Sequence, residues 1–460
     1  MIPVQLSELA ALTGGSRHGT DVLVESAVVT DAREATPGSL YVARIGEHAD
    51  GHRFVDQARE HGAVAALVTR PVEELPSVQV LDVQEAFARV ARDVVDRATG
   101  LSVVGITGSS GKTSTKDLLA DVLADVGPTV APVGSYNSEV GVPLTVCRVT
   151  EDTRYLVAEM GADGVGHIAY LCRIAPPRIG LVLNVGSAHL GLFGSREAIA
   201  RTKGELVEAL PEDGVAVLNA DDPLVAAMAD RARARVVRVG TAADADVRAS
   251  DITLDRAGRP SFRLRTPAGE RDVQLGLFGE HQVGNALAVT AAALELGVDL
   301  DHVVRVFATA RPASRWRMEV HERADGVTVV NDAYNANPES MRAALKALVS
   351  MGHGRRTWAV LGEMRELGEG SVAEHDEIGR LAVRLNIGRL VAVGEGARAI
   401  DQGARHEGSW GEESTWVPDI DAAHELLRRE LAAGDVVLLK SSRDSGLRVL
   451  GDRLVEDVPG

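Results

Sequence analysis

LSVVGITGSSGKTSTKD, residues 101–117, sets an apolar strand before a Gly/Ser turn and a Lys-Thr pair that opens a helix. That order builds a phosphate cradle. A glycine-rich turn leaves backbone N–H groups free to point inward, the following helix directs its positive end to the same spot, and Lys112 adds a full charge. Gly108, Ser109, Ser110 and Gly111 make the turn. Thr113 and Ser114 follow the lysine, where a hydroxyl reaches a phosphate-bound Mg²⁺. The spacing departs from G-x-x-x-x-G-K-[ST], because the first glycine of that pattern falls at Ile106 and the chain has Gly105 and Gly108 instead. The plainer alternative is an ordinary strand-to-helix turn.

At 460 residues the chain exceeds one core and predicts three domains of ordinary size. Hydrophobic residues make up 45% of it, enough for a core in each. A net charge of −17 argues against a nucleic-acid motor, so an anionic ligand must be held by local cations and helix ends. Cys147 and Cys172 stand outside any CxxC or Cys/His pattern, which supports neither a disulfide framework nor a zinc site. The opening MIPVQLSELAAL lacks a basic start and a long apolar run, and no later segment approaches the ~20 residues of a membrane span. These features predict a cytoplasmic protein with no membrane insertion and no nucleic-acid partner.

The predicted fold class is α/β, in three domains. Short apolar runs such as SLYVARI and AVAALVTR, with one helical stretch GHRFVDQAREHG, describe a small α/β N-terminal domain over 1–82. Residues 83–311 form a central P-loop domain, in which strands (YLVAEMGA, RIGLVLNVG, GVAVLNADD) alternate with helices such as SREAIARTKGELVEAL. That rhythm implies a parallel sheet with ligands outside the carboxyl ends of its strands. Residues 246–278 read instead as an antiparallel flap. After Arg311-Pro312 a further α/β rhythm runs over 312–460, a C-terminal Rossmann-like domain.

Glu159 interrupts the run YLVAEMG near its carboxyl end, where a buried carboxylate needs a cation or strong donors. It is a Mg²⁺ ligand or a carboxylate hydrogen-bonded at a strand terminus. His189, just past IGLVLNVG, either binds metal or caps a loop. Lys203 falls within the apolar stripe of Ile199, Leu206 and Leu210. It either snorkels to solvent or is a buried lysine of lowered pKa that reacts as a neutral amine, and a carbamate formed there with CO₂ would be a Mg²⁺ ligand. In the last domain, VTVVNDAYNANPES sets Asp332 and Asn335 just past a strand, where a nucleotide can lie, while Asn337 and Pro338 read as a helix start. The G-x-G-x-x-A run in VAVGEGARA reads as a simple glycine turn.

Together GSSGKTS, VAEMGA, AHLGLFGS, RTKGELVEAL and NDAYNANPES resemble the Mur ligases of peptidoglycan synthesis, over nearly the full length. VTDAREATPGSLYVARIGEHADGHRFV is similar to the family's uridine-binding domain, and FGEHQVGNALA to its His-x-x-x-Asn segment. The YNANP stretch points to the member that adds D-alanyl-D-alanine to UDP-N-acetylmuramoyl-tripeptide. The resemblance implies an ATP-dependent amide ligase acting through an acyl phosphate, with ATP and Mg²⁺ required and Lys203 carbamylated. It implies Thr113 and Glu159 on one Mg²⁺, and His189 and Lys203 on a second, with Lys112, His189 and Lys203 as the catalytic groups. Asn285, Arg315, Asp332 and Asn335 fall where the family contacts the nucleotide; Arg33, Asp50 and His52 match its uridine loops, and Asn137 the loop that meets the sugar-peptide. The departures are Ala32 before the arginine where a serine is common, Ser441 for a usual glycine, and a missing Glu after Arg443. A monomer is expected. The rivals are a sister ligase or folylpolyglutamate synthase with another acceptor, and a nucleotide-dependent binding protein without ligation chemistry, which would have no need of Glu159, His189 and Lys203 together.

Overall fold

The computed structural model describes residues 1–46, 49–187, 190–408 and 413–456. The predicted phosphate strand, Ser102–Thr107, lies inside a sheet between Ile179–Val182 and Tyr155–Glu159, parallel to both. Its alternating side chains serve two cores: Val104 and Ile106 join Val157 and Leu181 on one face, and Val103 joins Leu156 and Val182 on the other. Burial on both faces is why these strands read as continuous apolar runs rather than alternating ones. The register sets Glu159 opposite Ile106, and Val182 opposite Thr107. The carboxyl ends of the three strands therefore finish together, and the site is built there.

The segment expected as an antiparallel flap is antiparallel within itself and continuous with this sheet. Val247–Leu254 pairs in parallel with Arg235–Gly240, and Pro260–Thr266 and Gly269–Gln274 follow as antiparallel hairpins. Phe262, Leu264 and Val273 are buried in the same core as Val104 and Ile106, and that shared burial ties the hairpins to the sheet.

Within the first 79 residues, strands in the order Ser16–His18, Ser77–Gln79, Ala63–Val68, Ser39–Val42, Val28–Val29 form a smaller sheet. The helix Val83–Arg97 begins on Asp82, whose side chain accepts from the Gln84 and Glu85 N–H groups. Its apolar stripe (Phe87, Val90, Val94) enters a core shared by Leu40 and Leu67 of the small sheet and Leu156 of the central one, so this helix joins the two units through buried surface.

In the last third, Thr328–Asn331, Val436–Lys440, Thr357–Leu361, Arg389–Val393 and Ser414–Val417 lie side by side in parallel, with Glu319–Glu322 antiparallel at one edge. Helices cover both faces. Ser371–Arg384 and Arg398–Glu407 pack so closely that a Cβ on Gly379 would lie 1.9 Å from the Ile400 carbonyl oxygen. Among the described residues no helix is long and apolar enough to cross a membrane.

Candidate active site

The turn 108–111 delivers the chain from the strand into the helix Lys112–Ala124. Gly111 makes the corner at φ +81°, and Asn285 Oδ1 lies 2.6 Å from where a Cβ would stand, so the position requires glycine on both counts. Asn184, past the neighbouring strand, holds the turn. Its backbone carbonyl accepts from Ser109 N–H at 3.1 Å, and its Oδ1 accepts from Ser110 N–H at 2.9 Å. Those two amides are occupied, so the N–H groups presented to an anion are those of the first helical turn, which have no partner inside the helix. Lys112 Nζ donates to the Gly108 carbonyl at 2.6 Å. Burial lowers the Lys112 pKa, Glu159 opposes that shift and Arg317 adds to it.

Glu159 is 1% exposed and fully engaged: Oε2 accepts from Thr113 Oγ1 at 2.9 Å and Oε1 from Asn137 Nδ2 at 2.6 Å. Hydroxyl and carboxylate oxygens side by side are the donor set of a hard cation, and Mg²⁺ takes few protein ligands, leaving the rest to phosphate and water. Thr113 and Glu159 thus fit Mg²⁺, although among the described residues no group of three or more His, Cys, Asp or Glu is gathered as a metal cage.

Lys203 is buried on the helix Arg196–Glu208. No hydrogen-bond partner faces it among the described residues. Burial first, and the Lys112 charge second, push its pKa well below the usual 10.5. Of the two alternatives, the side chain is buried and does not snorkel to solvent. Next to it, the Arg231 guanidinium rests on Gly204 and donates to the Arg201 carbonyl at 2.9 Å, fixing this turn of the helix. His189 lies outside the described residues.

The C-terminal unit supplies the opposite wall of a 430 Å³ cleft that contains Ser109–Ser114, Asn137, Glu159, Asn285, Asp332 and Asn335. Asp332 accepts from Met318 N–H at 3.0 Å and pairs with Lys440 at 2.6 Å, and Lys440 also donates to the Asn335 carbonyl at 3.1 Å. Arg315 stays out of this cleft. It pairs with Asp452 at 3.1 Å and lies 4.7 Å over the Trp316 ring. The cleft instead receives Arg317, which packs 4.4 Å over the Tyr334 ring. Trp316 and Met318 on either side take left-handed backbone angles (φ +59° and +49°), and these turns decide which arginine faces the nucleotide wall.

Sequence reasoning missed Arg317, Lys440 and Arg443 on this wall. A lysine ending the buried strand VVLLK carries the same signal that singled out Glu159, and it could have found Lys440. Nothing in the spacing of RWRME separates Arg317 from Arg315.

The predicted uridine-loop residues divide. Arg33 lines a separate 490 Å³ cavity with Thr30, Arg44 and Phe54, and pairs with Asp31 at 2.6 Å, which holds that carboxyl at about 2. Asp50 and His52 turn inward. Asp50 Oδ2 accepts from Arg70 at 2.6 Å, its Oδ1 lies 2.7 Å from His52 Nδ1, and His52 Nε2 accepts from Thr69 N–H at 3.0 Å. The Arg70 bond, with His52 behind it, holds the Asp50 carboxyl well below the usual range.

Family models match in three consecutive segments: "Mur ligase family, catalytic domain" over 26–96, "Mur ligase middle domain" over 106–293, and "Mur ligase, glutamate ligase domain" over 316–443. The UDP-N-acetylmuramoyl-tripeptide--D-alanyl-D-alanine ligase of Mycobacterium leprae is 47% identical over 99% of both chains. The chain belongs to the Mur ligase family. Crystal structure I of MurF from Acinetobacter baumannii superposes on this Mur ligase with a TM-score of 0.89 at 32% identity, covering 99% of each chain. The MurF ligase of Thermotoga maritima in complex with ADP gives 0.80 at 31%, covering 94% of this chain and 98% of that one.

Proposed function

We propose that this Mur ligase joins D-alanyl-D-alanine to UDP-N-acetylmuramoyl-tripeptide at the expense of ATP. Likeness over nearly the full length to ligases bearing that name supports the choice of substrates. The observation that carries the chemistry is one cleft holding Lys112, the Thr113–Glu159 pair and the nucleotide wall of the C-terminal unit, with buried Lys203 beside Lys112.

In this reading the tripeptide carboxylate attacks the γ-phosphorus, the bond to the β-phosphate oxygen breaks, and ADP leaves. The dipeptide amine then attacks the acyl carbon, the C–O bond to phosphate breaks, and the amine proton is lost. Both steps concentrate negative charge, and preorganised cations in a water-poor cleft stabilise it most. Lys112 and the amides of residues 111–114 face the β- and γ-phosphates, with Gly108, Ser109 and Ser110 shaping the turn. Arg317 takes the nucleotide-facing role expected of Arg315, while Asn285, Asp332 and Asn335 line the nucleotide. Mg²⁺ held by Thr113 and Glu159 supplies charge neutralisation at the phosphates. Lys203, its pKa lowered by burial, would add CO₂ in its neutral form to give a carbamate and a proton; with His189 it would hold a second Mg²⁺. Arg33 meets the uridine nucleotide, Asp50 and His52 stiffen its loop, and Asn137 orients Glu159 at the sugar-peptide side. The three units act as UDP-substrate domain (1–82), ATP domain (83–311) and closing, dipeptide-binding domain (312–460). A cytoplasmic monomer is part of this reading.

Phosphate release with ATP and UDP-muramoyl tripeptide is the test. Release that requires D-alanyl-D-alanine and is not supported by D-alanine or L-lysine is expected; release independent of the dipeptide sinks the proposal.

A further inference from the structure

The helix Pro338–Gly352 starts rigidly. Asn337 caps it, its side chain accepting from Ser340 N–H at 2.8 Å while Ser340 Oγ accepts from Asn337 N–H at 3.0 Å, and Pro338 fixes the first turn. Two side chains from this start cross to the central unit. Asn337 Nδ2 donates to the Ser109 carbonyl of the phosphate loop at 3.3 Å. Glu339 accepts from both Ser187 N–H and Ser187 Oγ, each at 3.0 Å. Gly186 N–H in turn donates to Ser109 Oγ at 2.9 Å. The hydrogen bonds thus close a ring: phosphate loop, residues 186–187, Glu339, the helix start, Asn337, and back to the phosphate loop.

Two features mark this ring as built for close approach. A Cβ on Gly186 would lie 2.8 Å from Glu339 Cδ, so the carboxylate sits directly on a glycine. Ser187 is buried, and hydrogen bonds from a buried donor to a charged acceptor are the stronger kind. A second tie lies a few residues on, where Gly191 N–H donates to the Glu366 carbonyl at 2.9 Å and Gly191 meets the Gly368 backbone. The central-unit chain is therefore held by the C-terminal unit at 187 and again at 191, on both sides of the position that carries His189 in the sequence.

We infer that Glu339 is a positioning residue: its bond to Ser187 couples docking of the C-terminal unit to the seating of residues 185–187 against the phosphate loop. The inference rests on the ligase reading above. The contact exists only when the two units are together, so it lowers the free energy of the closed form and leaves the open form unchanged. Every phosphate-loop group that greets a nucleotide in the open form belongs to the central unit. Loss of Glu339 should therefore spare the central unit's own hold on the nucleotide, so that affinity falls less than the rate of the steps that need closure.

The test compares Glu339→Ala, Glu339→Gln, Ser187→Ala and the Ser187→Ala/Glu339→Ala double variant. For Glu339→Ala, kcat of dipeptide-dependent phosphate release should fall about 10- to 100-fold, the range for residues that orient ligands from behind. The nucleotide Kd of the free enzyme should weaken by clearly less than kcat falls. Glu339→Gln, which keeps one acceptor oxygen, should recover part of the loss, and the double variant should be no worse than Glu339→Ala. Gly186→Ala should mimic Glu339→Ala, and should cost nothing further in the Glu339→Ala background. A kcat within twofold of wild type, a Kd that weakens in step with kcat, or additive losses in the double variant would overturn the inference. Small-angle scattering with a non-hydrolysable ATP analogue separates it from the ligase reading. If wild type shows no dipeptide dependence the ligase reading fails, while the latch stands or falls on whether Glu339→Ala lessens the nucleotide-induced compaction.

Discussion

Replacing Lys203 by methionine should make the protein more stable and nearly inactive. The lysine is 7% exposed, has no hydrogen-bond partner among the described residues, and is repelled by Lys112. A buried polar group left without a partner costs about 1–3 kcal/mol, and methionine matches the lysine stem in length while removing that cost. For a unit of 150–250 residues each kcal/mol shifts the melting temperature by about 2–4 °C, so a rise of several degrees is expected in the transition that includes the central sheet. The pH dependence has a definite sign. The folded pKa is depressed below 10.5, so between the two values the unfolded chain holds a proton that the folded chain lacks. Wild-type stability from this group then increases with pH up to about 10.5. The advantage of the variant should accordingly be largest in acid and shrink as pH rises. Loss of a group that holds charge at the reacting centre should cut kcat by about 10²–10³. Thermal melts from pH 6 to 10, run beside dipeptide-dependent phosphate release, read both effects. A variant that melts lower than wild type at neutral pH, or keeps its activity, would show that Lys203 is a paired structural lysine and refute the reasoning.

Lys203→Ala should lose activity and regain part of it with added short-chain carboxylic acids, which can fill the place of a carbamate; full activity without them removes the carbamate from the scheme. Glu159→Gln puts an amide between two donors, Thr113 Oγ1 and Asn137 Nδ2, and replaces a charged ligand. The Mg²⁺ concentration for half-maximal rate should rise about 10- to 100-fold, and an unchanged Mg²⁺ titration would contradict the assignment. Arg317→Ala should cost about 10²-fold in kcat/KM for ATP, whereas Arg315→Ala, whose ion pair with Asp452 is largely exposed, should stay within about twofold. Equal losses in the two variants would mean that both arginines reach the nucleotide.

What could be read in the sequence follows from where periodicity and chemistry act together. The phosphate strand, its turn and helix were legible because a parallel strand buried on both faces is a continuous apolar run, and because a glycine corner before Lys-Thr has few other uses. Glu159 and Lys203 were legible as charges inside apolar patterns, and the structure finds both buried. The hairpins of 246–278 were legible as strands, but their backbone pairing with the central sheet is confined to two residue pairs, Val239 with Val247 and Gly240 with Arg248, which no periodicity reveals.

The choice between Arg315 and Arg317 lay beyond reach for a sharper reason. Two residues apart on an extended chain, both arginines would face the same way. Left-handed turns at Trp316 and Met318 break that equivalence, and bulky side chains rarely adopt them without surrounding support. The support is visible and is entirely tertiary: Asp332 accepts from Met318 N–H, Asp452 accepts from Trp316 Nε1 at 3.0 Å, and the Trp316 carbonyl accepts from Tyr334 N–H at 3.1 Å. Asp332 therefore holds Lys440 and also fixes the backbone that sends Arg317 into the cleft. Removing its carboxylate with Asp332→Asn should weaken both cations' hold on the nucleotide at once, giving a loss in kcat/KM for ATP at least as large as that of Arg317→Ala. A smaller loss would mean that the backbone at 316–318 keeps its shape without Asp332.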